Sequence, residues 1–174
     1  FDIRARDQML EVKDCEFRSN HLGENATDMN GAGIKVQCRD RCLNGVARLV
    51  VRNSVFEGNA ADQGGAVYAV NSQIEIKDSV FLNNTSNYGG SAIYAGQTEV
   101  SASASMEVID TRFKGNKALR VGLADELTDA QGKRLEIVRT HMFQAPLASG
   151  GACLVKDVDR ASFINCTFRE NEAA

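Results

Sequence analysis

One sentence of sequence occurs twice in tandem here. Residues 49–70 read LVVRNSVFEGNAADQGGAVYAV, and residues 74–95 read IEIKDSVFLNNTSNYGGSAIYA. Each copy opens on alternating apolar residues and passes through Ser-x-Phe-x-x-Asn. Each then closes on Gly-Gly, a small residue, a β-branched residue and Tyr. Phe56 and Phe81 stand 25 residues apart. A repeat of that length cannot bury its apolar face alone, whereas stacked copies bury a continuous core. Period-2 alternation makes the stacked elements strands.

The same template places six units along the chain. Their phenylalanines are Phe17, Phe56, Phe81, Phe113, Phe143 and Phe168. Three residues on stand Asn20, Asn59, Asn84, Asn116 and Asn171, with Pro146 taking the fifth place. Two residues before the Phe stand Cys15, Ser54, Ser79, Thr111, His141 and Cys166. Glycine-led segments follow at 31–36, 64–70, 89–95 and 150–155, where glycine supplies a corner that a Cβ would obstruct. After the glycines, Ile34, Val67, Ile93 and Cys153 point inward, whereas Lys35, Tyr68, Tyr94 and Leu154 point outward. Spacings longer than 25 residues put the surplus into loops at 37–48, 96–105 and 117–133.

The expected fold is all-β: a right-handed parallel β-helix of about six coils, with residues 1–174 as a single domain. In-register stacking turns each repeated residue into a column, phenylalanines inside and asparagine amides bonding one another at a corner. The pattern is still running where the chain starts and stops, so a segment of a longer protein is expected.

Phe-x-x-Asn joined to Gly-Gly-Ala-Ile/Val resembles the repeats of the chlamydial polymorphic outer membrane proteins. It stands here as FEGN…GGAV, FLNN…GGSAI, FRSN…GAGI, FKGN, FREN and a GGAC that follows an altered FQAP. The resemblance implies a β-helical stalk exposed at a cell surface, adhesion being the commonest role. Similar repeats occur in large extracellular proteins of other lineages.

Charge offers little to nucleic acid or to anionic lipid: 20 basic residues against 23 acidic give a net −3. No apolar run is long enough to span a bilayer as a helix. Trp is absent, so an aromatic platform for sugar falls to tyrosine or an outward Phe. Catalysis on such a fold needs carboxylates or a cation–base pair gathered on one face. The nearest arrangement is an outward column of Glu11, Glu75, Glu107 and Glu136. It reads either as a divalent-cation or sugar-contact strip or as a solvated face flanked by Lys13, Arg52 and Lys77. His21 and His141 have no evident partner. No nucleophile elbow, zinc-protease or phosphate-loop pattern occurs, and the Gly-Gly pairs are corners.

Of the five cysteines, Cys38 and Cys42 sit in the longest insertion and are the candidate disulfide. Cys15 and Cys166 lie near opposite ends of the stack, too far apart to pair. Cys153 fills an apolar inward slot. Among the Asn-x-Ser/Thr triplets, Asn25 in a loop is the candidate glycosylation site, while Asn84 is blocked by its column. Tyr68 and Tyr94, neighbours on adjacent coils, form the candidate contact patch.

The expectation is therefore a non-catalytic extracellular or cell-surface β-helix, a scaffold or an adhesive surface, with no cofactor and no metal. Its partners would be protein subunits, neighbouring segments of the same chain, or glycan, but not nucleic acid. The competing expectations are a polysaccharide-active enzyme on the same fold and a filament or coat component.

Overall fold

The computed structural model describes residues 2–3, 9–22, 30–38, 47–98, 103–119 and 151–173. All regular elements among these residues are strands, and every pairing is parallel. After β1 (Asp2–Ile3), the first coil carries β2 (Met9–Lys13), β3 (Glu16–Arg18) and β4 (Ile34–Gln37). The second carries β5 (Ala47–Arg52), β6 (Val55–Glu57), β7 (Ala60–Gln63) and β8 (Val67–Val70). The third carries β9 (Ser72–Lys77), β10 (Val80–Leu82), β11 (Thr85–Gly89) and β12 (Ile93–Gly96). The fourth is β13 (Ser105–Ile109), β14 (Arg112–Lys114), β15 (Lys117–Ala118) and β16 (Cys153–Lys156). The fifth holds β17 (Arg160–Ile164), β18 (Thr167–Arg169) and β19 (Glu172–Ala173).

Equivalent strands stack into four sheets, ordered β1-β4-β8-β12-β16, β2-β5-β9-β13-β17, β3-β6-β10-β14-β18 and β7-β11-β15-β19. This is a parallel β-helix. A full coil has four short strands, because three-residue strands such as Val55–Glu57 still complete a sheet. The inward residues of each strand meet in one core that runs the length of the stack. Leu49, Val51, Ile76 and Val108 come from one wall, and Ile34, Val67 and Ile93 from another.

Corners are set by two kinds of residue. Asp14, Asn53, Asp78, Asp110 and Asn165 all hold φ between 46° and 54°. Asn and Asp tolerate that left-handed conformation best among residues with a Cβ. Glycine takes the corner where the backbone is also crowded. A Cβ on Gly65 would stand 2.2 Å from the Thr85 carbonyl oxygen and 2.3 Å from that of Ser91. No rotamer relieves a clash with two backbone oxygens.

The coil count differs from the sequence expectation. Phe113 pairs directly with Phe168, Met106 with Ala161 and Ile93 with Cys153. In the described column Phe168 therefore follows Phe113 directly, and Gly151 leads the last strand of the fourth coil, not of a fifth unit. The described stack has five phenylalanines in register. The physical reason is legible in FQAP: Pro146 has no amide side chain with which to join the asparagine column. Phe143, Pro146, His141 and Glu136 themselves lie outside the described residues.

Candidate binding surface and its internal ladders

The phenylalanine rings stack face to face, with centroids 4.8, 4.7, 5.0 and 4.7 Å apart from Phe17 through Phe56, Phe81 and Phe113 to Phe168. Their spacing is the strand spacing itself, so the backbone register places each ring over the next. Beside them runs the amide column. Asn20 Nδ2 donates to Asn59 Oδ1 at 2.7 Å, Asn59 to Asn84 at 2.9 Å, Asn84 to Asn116 at 2.9 Å and Asn116 to Asn171 at 2.8 Å. Each Oδ1 also accepts the backbone N–H of the asparagine one coil earlier. Each Nδ2 from Asn59 onward donates to a phenylalanine carbonyl one coil earlier as well. Asn59, Asn84 and Asn116 are wholly buried, and their hydrogen-bonding capacity is used.

A third column runs Cys15, Ser54, Ser79, Thr111, Cys166. The hydroxyls of Ser54, Ser79 and Thr111 each donate to the carbonyl two residues earlier, at 2.8 Å. Each of these oxygens also accepts a backbone N–H from the coil before. Cys166 fits because its thiol reaches the Ile164 carbonyl at 3.4 Å in the same way. Burial pushes the thiols of Cys166 and, more strongly, Cys153 above the ordinary range, which leaves both as inert core groups.

The corner column of Asp14, Asn53, Asp78, Asp110 and Asn165 was not read from the sequence, although its signal was there: an Asn or Asp one residue before each Ser, Thr or Cys. Asn53 Nδ2 donates to Asp14 Oδ1 at 2.6 Å, and Asn165 donates to Asp110. Between them Asp78 and Asp110 are successive with no amide to bridge them. Asp110→Asn supplies the missing donor toward Asp78 and keeps an oxygen for Asn165. It is expected to raise Tm by about 1–3 °C, from removal of one like-charge neighbour. A scan showing a lower Tm would mean the corner needs the carboxylate.

The glutamate column is shorter than expected. Glu107 does face Glu75, but Val50 separates Glu75 from Glu11, and Ser162 follows Glu107. Glu75 is held by Arg48 at 3.1 Å and Arg52 at 2.9 Å. That is a solvated charged face, and the cation-strip reading fails on it. Among the described residues no group of three or more His, Cys, Asp or Glu side chains is placed to hold a metal ion. Nearer the start, Glu16 and Glu57 both bind Arg18, and the Arg18 hydrogen bond and charge hold the Glu16 carboxyl below its ordinary range.

Tyr68 and Tyr94 stack at 5.0 Å on the outer side of their sheet, and Lys35 Nζ lies 5.4 Å from the Tyr68 ring centre. This corrects the open contact patch. Tyr68 is 9 % and Lys35 5 % exposed. One face of the Tyr68 ring is taken by Lys35 and the other by Tyr94, so the column covers its own members. Tyr94 is half-buried, and desolvation raises its hydroxyl pKa. Cys38 is disulfide-bonded, whereas Cys15, Cys153 and Cys166 are free. Cys42, the expected partner, and Asn25, the candidate glycosylation site, lie outside the described residues. Asn71, which the sequence reading passed over, donates from its buried amide to the Cys38 carbonyl at 3.2 Å and to Thr98 Oγ1 at 3.0 Å. It ties the root of that loop to the following coils.

Stacked coils with internal amide, hydroxyl and phenyl columns define a parallel β-helix repeat protein. Residues 53–70 and 78–96 each match the family model described as Chlamydia polymorphic membrane protein (Chlamydia_PMP) repeat. The resemblance first read from Phe-x-x-Asn and Gly-Gly is thus a match to that repeat at those positions, in the second and third coils. No curated protein and no solved structure matches the chain. No helix among the described residues is long and apolar enough to cross a membrane.

Proposed function

We propose that this chain is a non-catalytic, surface-associated β-helix, a rigid scaffold whose outward strand positions form an adhesive face for protein or glycan. One observation carries the reading. Along β3, β6, β10, β14 and β18 the inward residue is Phe in every coil, while the outward position before it runs Glu16, Val55, Val80, Arg112, Thr167. The inward code builds the stack, so outward residues are free to differ without cost to the fold. A surface of that kind is where recognition is written. The two repeat matches support association with a cell surface, and the bonded Cys38 supports an oxidising compartment.

The test is binding of the bead-coupled chain to a glycan array, to extracellular matrix proteins and to cultured cells. Saturable binding that weakens when Arg112, Lys114 and Arg169 are changed to Ser supports the adhesive face. Binding to none of these targets leaves a scaffold without adhesion. Release of reducing or unsaturated sugar ends from a polysaccharide panel would overturn the reading in favour of catalysis.

A further inference from the structure

The third coil breaks the alternation of a regular strand. Along β11 the order is half-buried Thr85, buried Ser86, half-buried Asn87, exposed Tyr88 and buried Gly89. Two successive side chains thus face outward, which the pleat of a regular strand does not allow. The register gives the cause. Thr85 and Ser86 pair with Ala60 and Ala61, but Gly89 pairs with Gln63, so Asn87 and Tyr88 together oppose the single residue Asp62. This is a β-bulge, a device that re-aims a side chain. The sequence holds the extra residue: Asn84 to Ile93 is one longer than Asn59 to Val67, although Ile93 and Val67 pair.

The bulge is pinned from within. Buried Ser86 accepts the Gly89 N–H on its Oγ at 3.1 Å, and Gly89 holds φ at 131°, a conformation that suits a residue without a Cβ. On the outside, Asn87 Nδ2 donates to Asp62 Oδ1 at 2.6 Å. That is the one hydrogen bond of either side chain, so Asp62 Oδ2 and Asn87 Oδ1 stay open as acceptors and Asn87 keeps one N–H. Tyr88 is 47 % exposed, whereas Tyr68 and Tyr94, the other two tyrosines, stack on each other. Exposed Leu119 donates its N–H to the Ser86 carbonyl at 2.8 Å and so stands one coil on from the bulge.

We propose that this bulge is a carbohydrate subsite that takes a neutral pyranose of a glycan. A pyranose presents an apolar face of C–H groups and a rim of hydroxyls that both donate and accept. The half-exposed phenol ring of Tyr88 suits the first. The Asp62–Asn87 pair, a carboxylate beside an amide, suits two neighbouring hydroxyls on the rim. The Asp62 carboxylate also selects against uronate, sialate and sulfate by like-charge repulsion. A ring, a leucine and one amide–carboxylate pair match a sugar in size and fall far short of the about 800 Å² a side of a stable protein interface. Because the bulge is fixed by its own hydrogen bonds, little has to be ordered when a ligand binds. This deepens the adhesive reading and rests on its glycan arm, on a different sheet from Arg112, Lys114 and Arg169.

The experiment follows backbone and aromatic NMR signals of the 174-residue chain during titration with the methyl glycosides of mannose, galactose and glucose, and with sialic acid. The expected result is saturable shifts centred on Tyr88, Asn87 and Asp62 with at least one neutral glycoside, and none with sialic acid. Tyr88→Ala is expected to weaken that binding about tenfold or more, as loss of an aromatic anchor does, while Tyr88→Phe keeps it within about threefold. Circular dichroism is unchanged in both, because the ring lies outside the core. Saturable shifts that map elsewhere, or binding that survives Tyr88→Ala, overturn the subsite and leave the adhesive reading standing. So does glycan binding that is lost with Arg112, Lys114 and Arg169 but ignores Tyr88. A chain that shifts with none of the neutral glycosides also overturns the subsite, while adhesion to protein is decided separately by the matrix-protein and cell assays.

Discussion

Asn84→Ala lowers the free energy of unfolding by about 3–5 kcal/mol, whereas Asn20→Ala, at the start of the same column, costs about 1 kcal/mol. The difference follows from what each amide leaves behind. Asn84 donates to the Phe56 carbonyl at 3.0 Å and to Asn116 Oδ1 at 2.9 Å, and it accepts both the backbone N–H and the Nδ2 of Asn59. Its removal strands donors of Asn59 in an interior that water does not reach, and the desolvation penalty of each is then unopposed. Asn20 is half-buried and gives up one side-chain bond, to an Asn59 Oδ1 that still accepts the Asn20 backbone N–H at 3.2 Å. Urea unfolding of both variants measures the contrast. Equal losses would mean that position in the column does not matter, and that the amides act as independent corner caps.

Much of this architecture was legible because a column repeats its own evidence. Five phenylalanines and five asparagines at one spacing announce a stacked interior, and Asn20, Asn59, Asn84, Asn116 and Asn171 bond as their spacing implies. What misled was a place where the pattern was half present. FQAP supplied the Phe, and a template keyed on Phe counted a coil there, while the amide that holds coils together was missing. Insertions were equally opaque: nothing in a sequence fixes whether residues between two repeats form another coil or leave the stack and return. The tyrosine pair shows a second limit. Alternation gave the side of the sheet correctly, but outward is not exposed when a column covers its members' faces, as Lys35 and Tyr94 cover Tyr68. The corner column was missed for a third reason. Asn and Asp serve equally at positive φ, so the position alternates between two residue types and does not look like a repeat.

The phenylalanine column offers the sharpest test of the coil count. Phe81 is fully buried, with Phe56 at 4.7 Å on one face and Phe113 at 5.0 Å on the other. Phe81→Ala opens a cavity that parallel strands on both sides cannot close, because their spacing is fixed by backbone hydrogen bonds. The expected cost is about 3–5 kcal/mol, with the stacking contribution of two ring pairs lost on top of burial. Phe143→Ala takes nothing from this column, since Phe113 and Phe168 already stack directly at 4.7 Å. The measurement is paired denaturant unfolding of the two variants, with the slope checked for constancy so that midpoints can be compared. A loss at Phe143 as large as that at Phe81 would mean that a sixth ring shares the core, and would return residues 120–150 to the stack as a coil. A loss several-fold smaller leaves the core with five rings. The segment between β15 and β16 would then be free to vary in length and sequence without disturbing the register of the sheets on either side. That would make it, like the outward strand positions, a part of the chain where function can change while the columns stay fixed.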